Sequence, residues 1–261
     1  MHNTILNLSA PIAAETGDTL TITYTVTVAQ EEEPTQTAFA TDSWATIAAA
    51  SADGTASTKY KVGDEKTIAL TDGSQITLQI LGFNHDNLAD GSGKAGITIG
   101  VKELVGTNYM NGSNTNSGGW ASSAMRTSYL PEYIAQLPSD LQGVIKTVTK
   151  KSGSGSSIVE SDDQLFLFSY VEISGLTPIT AVDGEGEQYD YWKRAVHNGL
   201  IPACRIKKLL SGSVDEWWLR SNNKSNSTDY IIFSTGGSRS SQDAHGSSSS
   251  YKCGICFGFC V

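Results

Sequence analysis

Three observations predict an α+β fold with a mainly antiparallel sheet and long loops. Short strand-like runs outnumber helical ones along the chain. A few stretches of helical period sit among them rather than in a separate block. Gly is frequent at 26 residues and Pro scarce at 6, which suits many turns more than a helical bundle. At 261 residues, 39% of them hydrophobic, the chain can bury a core in one or two domains.

The elements follow in order. Thr19 to Val28 alternates strictly between polar and apolar residues and reads as one half-buried strand. A lone strand is no domain. Residues 1–29 therefore read as a partial immunoglobulin-like segment, or as an arm that pairs with another virion or surface subunit. Residues 30–37 are a charged, Pro-containing linker, and the main domain spans 38–261. Within it Trp44 to Ala50 is a short helix, and Lys66 to Leu70 is a strand. The Asp72-Gly73 turn leads into a second strand, Gln75 to Phe83. Asn84 to Gly93 is a loop, and Ile97 to Leu104 an apolar strand. Ser122 to Tyr129 and Pro131 to Leu137 read as helical, and Leu141 to Lys150 as helix or strand. Lys151 to Ser157 is expected to be a flexible loop, Asp163 to Val171 an apolar strand, and Tyr189 to His197 a short helix.

The last stretch is the most unusual. Trp217-Trp218-Leu219-Arg220-Ser221 and Gly254 to Val261 are two apolar brackets. Between them, from Ser221 to Lys252, lie 32 residues that include 11 Ser, 3 Asn, 2 Thr, 2 Tyr, 2 Asp and 1 His. Such composition alone would suggest disorder. Held between two buried strands, it reads instead as a displayed surface of residues 221–252.

Charge narrows the partners. A net charge of −9 with no basic stripe argues against nucleic acid. No run approaches the ~18 apolar residues that suggest a membrane helix, so no membrane insertion is expected. The N-terminus lacks the basic and apolar regions of a secretory signal. Cys204, Cys253, Cys256 and Cys260 include one CxxC. If Gly254 to Val261 is one strand, Cys256 and Cys260 lie roughly 13 Å apart on one face, too far to share a zinc. Reduced, packed thiols are the expectation, with no metal and no cofactor.

The ordered set Gly82-Phe83-Asn84-His85-Asp86, Gly118-Gly119-Trp120, Ser123-Ala124-Met125-Arg126, Leu137-Pro138, Asp163 to Leu167, Glu185-Gly186-Glu187-Gln188-Tyr189, Trp217 to Ser221 and Gly254 to Val261 resembles the DUF6273 family of gut bacterial and phage proteins. The resemblance covers roughly Ala38 to Val261. Many members look like variable proteins of diversity-generating retroelements. The resemblance thus implies a C-type-lectin-like fold, a hypervariable stretch near the C-terminus, and a place on a virion tail or bacterial cell surface. Randomised adenines in Asn codons yield Asn, Ser, Thr, Tyr, Asp, His, Gly and small apolar residues. The 32-residue stretch is rich in that set and has no Glu, Met or Trp, although Lys224, Gln242 and Lys252 lie outside it. Asn222 stands where the family pattern leads one to expect Pro.

The function implied is recognition of a protein or cell-surface ligand without catalysis. Trp217, Leu219, Phe233, Ile255, Phe257 and Phe259 are expected to form the scaffold. The outward ligand-binding residues are expected to be Asn222, Asn223, Asn226, Thr228, Asp229, Tyr230, Ile232, Ser234, Thr235, Ser238, Arg239, Ser240, Ser241, Asp243, His245, Ser247, Ser248 and Ser249. Ser, Asn and Tyr are also the residues of antibody paratopes. The alternatives are a fixed tail or baseplate decoration and a calcium-dependent glycan-binding lectin. The latter is disfavoured because Asp162-Asp163 and Asp215-Glu216 diverge in an extended chain. His85-Asp86 reads as a structural turn before an acid/base pair. Trp120, Trp217 and Trp218 read as core, and Arg126 and Arg220 are candidates for ion pairs with Asp163 or Glu172. The lectin-like fold also resembles formylglycine-generating enzymes, but that oxidase chemistry is not expected here, because Cys253 and Cys256 sit in or beside the polar stretch.

Overall fold

The computed structural model describes residues 16–17, 37–197, 201–243 and 252–261. The strand expected at Thr19 to Val28, most of the linker, and His245, Ser247, Ser248 and Ser249 lie outside the described residues. The chain divides into two compact units, Met1–Thr35 and Gln36–Val261, and the second carries every helix and strand described.

Three short helices open it: α1 (Ala38–Thr41), α2 (Trp44–Ala52) and α3 (Ala56–Lys59). Thr37 and Ser43 cap the first two, their hydroxyl oxygens accepting from the Ala40 and Thr46 amides. Helix α2 buries Trp44, Ile47 and Ala50, one face at helical spacing. Strands β1 (Glu65–Ala69) and β2 (Gln75–Phe83) form the predicted hairpin, with Gly73 at φ 85° in its turn. Strand β3 (Ile97–Val101) is buried at every residue, and β4 (Thr107–Asn108) is a short edge. A 3-10 turn (Trp120–Ser122), a π-helix (Met125–Tyr129) and α4 (Leu130–Gln136) then run almost end to end, followed by α5 (Ser139–Gln142).

Two expectations fail in the next stretch. The flexible loop placed at Lys151 to Ser157 is instead the tip of a regular hairpin. Strands β5 (Val148–Ser154) and β6 (Ser157–Asp163) pair from Val148↔Asp163 to Ser154↔Ser157, and Ser152 and Gly153 are buried. Small residues there permit close approach by a neighbouring strand rather than mobility. The apolar strand expected from Asp163 to Val171 shrinks to β7 (Phe166–Leu167). Ser169 then starts helix α6 (Tyr170–Ser174) with a reciprocal capping box to Glu172. The apolar pattern was correct about burial and silent about the cap.

Helices α7 (Asp190–His197) and α8 (Ile201–Arg205) precede a small ladder of β8 (Lys207–Lys208) and β9 (Val214–Asp215). The chain closes with β10 (Trp217–Asn222), β11 (Asp229–Phe233), β12 (Arg239–Asp243), β13 (Cys253–Gly254) and β14 (Phe257–Cys260). One five-stranded sheet runs β1-β2-β3-β14-β7, antiparallel throughout. The other runs β12-β11-β10-β13-β4, with only β10 and β13 parallel. The α+β class, with mainly antiparallel sheets, is therefore observed.

The closing bracket is not one strand. It serves the second sheet through β13 and crosses to the first through β14, while Ile255 exchanges backbone hydrogen bonds with Val105 and Gly106. No disulfide joins the four cysteines, and Cys253, Cys256 and Cys260 are buried. Cross-strand partners Gly258 and Gly100 leave the hollow that the Phe168 ring fills. A Cβ on Gly258 would lie 2.7 Å from Phe168 Cζ. The scaffold residues Trp217, Leu219, Phe233, Ile255, Phe257 and Phe259 all lie in the core, as do Trp120 and Trp218.

Candidate functional site

Strand β10 carries two different polar environments within three residues. Arg220 points into the protein and is fully buried. Its guanidinium makes a bidentate pair with Glu172, through a short bond to Oε2 and 2.7 Å to Oε1. The remaining donors go to the carbonyls of Lys151 (3.1 Å), Leu167 (2.9 Å) and Glu185 (2.6 Å). Every guanidinium N–H is thereby used.

Lys150 is as fully committed. Its ammonium donates to Asp86 Oδ1 at 2.5 Å, Glu172 Oε1 at 2.6 Å and the Tyr189 hydroxyl at 3.0 Å, and lies 4.2 Å from the Phe166 ring centroid. Tyr189 donates in turn to Asp86, as does Thr98 at 2.6 Å. Two carboxylates, Asp86 and Glu172, thus face two cations, Lys150 and Arg220. Burial pushes the Asp86 and Glu172 carboxyls up, but the neighbouring cations outweigh it and hold both below the ordinary range. Asp86 lies well below.

Glu185 is the fifth charge, and it has no cation of its own. Burial dominates and raises its pKa to about 7; Arg220, a short hydrogen bond from Ser221 and the Gly153 amide at 2.8 Å only partly counter it. A cavity of about 300 Å³ opens beside this cluster, lined by His85, Lys94, Lys150, Glu172, Glu185 and Arg220. His85 stacks on Tyr189 with ring centroids 4.0 Å apart, and Asn84 beside it takes φ 50°, consistent with the structural turn. A second ion pair joins the partly exposed Arg126 to the buried Asp163, whose other oxygen accepts from Trp120 Nε1 at 2.9 Å. Both arginine pairings suggested by the sequence therefore form. The signature motifs converge here: Asp86, Glu185, Tyr189 and Arg220 come from three of them.

Residues 224–227 are the first beyond Arg220 to be exposed. Among the described residues, strand β12 is a sheet edge, paired only to β11 from Asp229↔Asp243 to Phe233↔Arg239. Asn226, Thr235, Ser238, Arg239 and Ser240 are exposed, and Thr228 and Ser234 half-buried. Ser241 and Asp243 lie on the same edge strand.

The expectation that all the polar positions face outward needs correction at five places. Asn222, Asn223, Asp229, Tyr230 and Ile232 are buried. Strand β11 is interior, between β10 and β12, and both its faces are covered, so the alternation rule fails along its whole length. Phe233 on one face packs at a tilt against the Trp217 and Tyr170 rings, while Ile232 pairs across strands with Trp218. Asn222 is packed against Gly153 and donates to the Gly155 carbonyl at 3.2 Å.

A neighbouring loop completes the edge. Thr180 accepts a backbone bond from Lys224 at 2.8 Å, and its hydroxyl accepts from Arg239 at 2.9 Å. The same loop leaves Leu176 71% and Ile179 85% exposed, the most exposed large apolar side chains among the described residues. Sequence reasoning missed both the loop and Lys150. An exposed Leu-Thr-Pro-Ile carries no periodic signal, and a lysine inside a strand reads by default as solvated.

These features define an α+β protein with a buried ionic cluster under a polar sheet edge. Residues 97–255 match the family described as a domain of unknown function, DUF6273, and the chain belongs to that family. No curated protein and no solved structure matches it. Among the described residues, no helix is long and apolar enough to cross a membrane.

Proposed function

We propose that this protein recognises a protein or cell-surface ligand through the polar edge that follows β10, presented on a C-type-lectin-like scaffold and diversified by a retroelement. The contact residues are the solvent-facing subset Asn226, Thr228, Ser234, Thr235, Ser238, Arg239 and Ser240, with a place on a virion tail or bacterial surface. One observation carries the reading. Both apolar brackets are buried, β10 and the closing residues 253–261 alike, whereas residues 224–227, 235–236 and 238–240 between them are exposed. Substitution is tolerated where side chains do not carry the fold. Short hydroxyl and amide side chains suit adaptable hydrogen bonding.

The test is the DNA flanking the gene. A near-copy of the segment encoding Trp217 to Val261, differing almost only where the copy has adenine, is the expected result. The differences should fall on the solvent-facing positions and spare Arg220 and Ser221. A gene with no such copy contradicts diversification and leaves a fixed surface.

A further inference from the structure

The turn from Asn223 to Asp229 is closed by three of its own peptide groups. The Asn223 amide donates to the Asp229 carbonyl at 3.0 Å, the Asp229 amide to the Asn226 carbonyl at 3.4 Å, and the Asn226 amide to the Asn223 carbonyl at 3.2 Å. All three carbonyls also accept from a single atom, Nδ2 of Asn116, at 3.1, 2.8 and 2.7 Å for residues 223, 229 and 226. The Asn116 backbone amide adds a bond to the Ser227 carbonyl at 2.8 Å. Asn116 is itself buried, and the Gly119 amide donates to its carbonyl at 2.9 Å.

We infer that Asn116 is the positioning residue of the displayed turn, holding it through main-chain atoms alone. This rests on the display reading above and gives it a mechanism. Each carbonyl has two lone pairs, one for the ring and one for Asn116, while the two amide hydrogens are shared among three acceptors. No side chain of residues 224–228 takes part. Lys224, Ser225, Asn226 and Ser227 are exposed and Thr228 half-buried, so all can change without removing an acceptor. The Lys224 amide bond to the Thr180 carbonyl is likewise main-chain. Asp at position 116 would offer no donor, and Gln would carry the amide one methylene too far.

The competing account is that the turn supports itself through side chains. Asn223 Oδ1 accepts from the Ser225 amide at 3.0 Å, and Asn226 Oδ1 from the Thr228 amide and hydroxyl at 3.1 and 2.8 Å. The two Asn226 bonds vanish when residues 224–228 change, whereas the Asn223 bond and the clamp from outside stay.

Native-state amide hydrogen exchange on the full chain separates the two. One variant changes Lys224→Ala, Ser225→Ala, Asn226→Ala, Ser227→Ala and Thr228→Ala together; the other is Asn116→Ala. The expected result is that exchange at the amides of residues 223, 226 and 229 stays within about threefold of the parent in the first, and rises by about tenfold or more in the second, with the β1–β2 amides unchanged in both. Loosening of the turn by the fivefold variant, or an unchanged turn in Asn116→Ala, overturns the assignment. If Asn116→Ala does not fold, Asn116→Gln gives the same reading. Because exchange reports on the turn and not on a ligand, a surface found to be fixed or ligandless leaves this outcome intact.

Discussion

Arg220 and Asn226 lie six positions apart in a polar run, yet they are held on opposite terms. Arg220 is buried, and its side chain makes every contact that matters: a bidentate carboxylate and three carbonyls. Asn226 is exposed, and it is its main chain that is held, by Asn116 and by neighbouring peptides. On the reading proposed above, side-chain identity is fixed in the first region and free in the second. Polar composition alone does not separate a keystone from a display; which atoms satisfy the hydrogen bonds does.

The largest effect is expected where that dependence is strongest. Arg220→Met leaves Glu172 buried beside Asp86 with only Lys150 to compensate, and should cost about 3–5 kcal/mol by equilibrium denaturation. A loss under about 1 kcal/mol would mean the cluster is not the keystone. Tyr230→Ala should cost about 3 kcal/mol despite lying within the Ser-rich stretch, because Tyr230 is fully buried. A neutral result would move it to the displayed side.

Glu185 sharpens the comparison through pH. Its folded pKa of about 7 lies above the ordinary 4.5, so the folded state binds the extra proton between those values. That stabilisation is fully present below pH 4.5 and lost as pH rises through 7, a fall of about 3 kcal/mol over the window. Asp86 and Glu172 act oppositely: their lowered pKa values contribute stability near neutrality that is lost in acid. Glu185→Gln should flatten the slope between pH 4.5 and 7 and raise stability above pH 7. An unchanged slope would show that another group titrates there. The smallest effect belongs to the display: Thr235→Ala, Ser238→Ala and Ser240→Ala should each move Tm by less than about 2 °C.

Much of the scaffold was legible in the sequence because it obeys simple periods. Strand β2 and helix α2 lie close to where alternation and helical spacing put them, and the Trp217 and Phe257 brackets are core. Errors arose where burial came from tertiary neighbours. Strand β11 is covered on both faces, so Tyr230 and Ile232 could not be sorted by alternation. Gly153 looked like a loop residue because its partner, Asn222, is distant in sequence. The buried cluster was half visible: Arg220 and Glu172 suggested an ion pair, but Lys150 and Glu185 join only through long-range packing. Asn116 carried no signal at all, since its acceptors are backbone atoms.

The most direct test is a pool of variants randomised together at Asn226, Thr228, Ser234, Thr235, Ser238, Arg239 and Ser240, each clone scored by cooperative thermal unfolding. The account predicts that most clones fold, with Tm within about 5 °C of the parent. General loss of cooperative unfolding would contradict it, showing that these side chains carry the fold and cannot serve as an exchangeable binding surface.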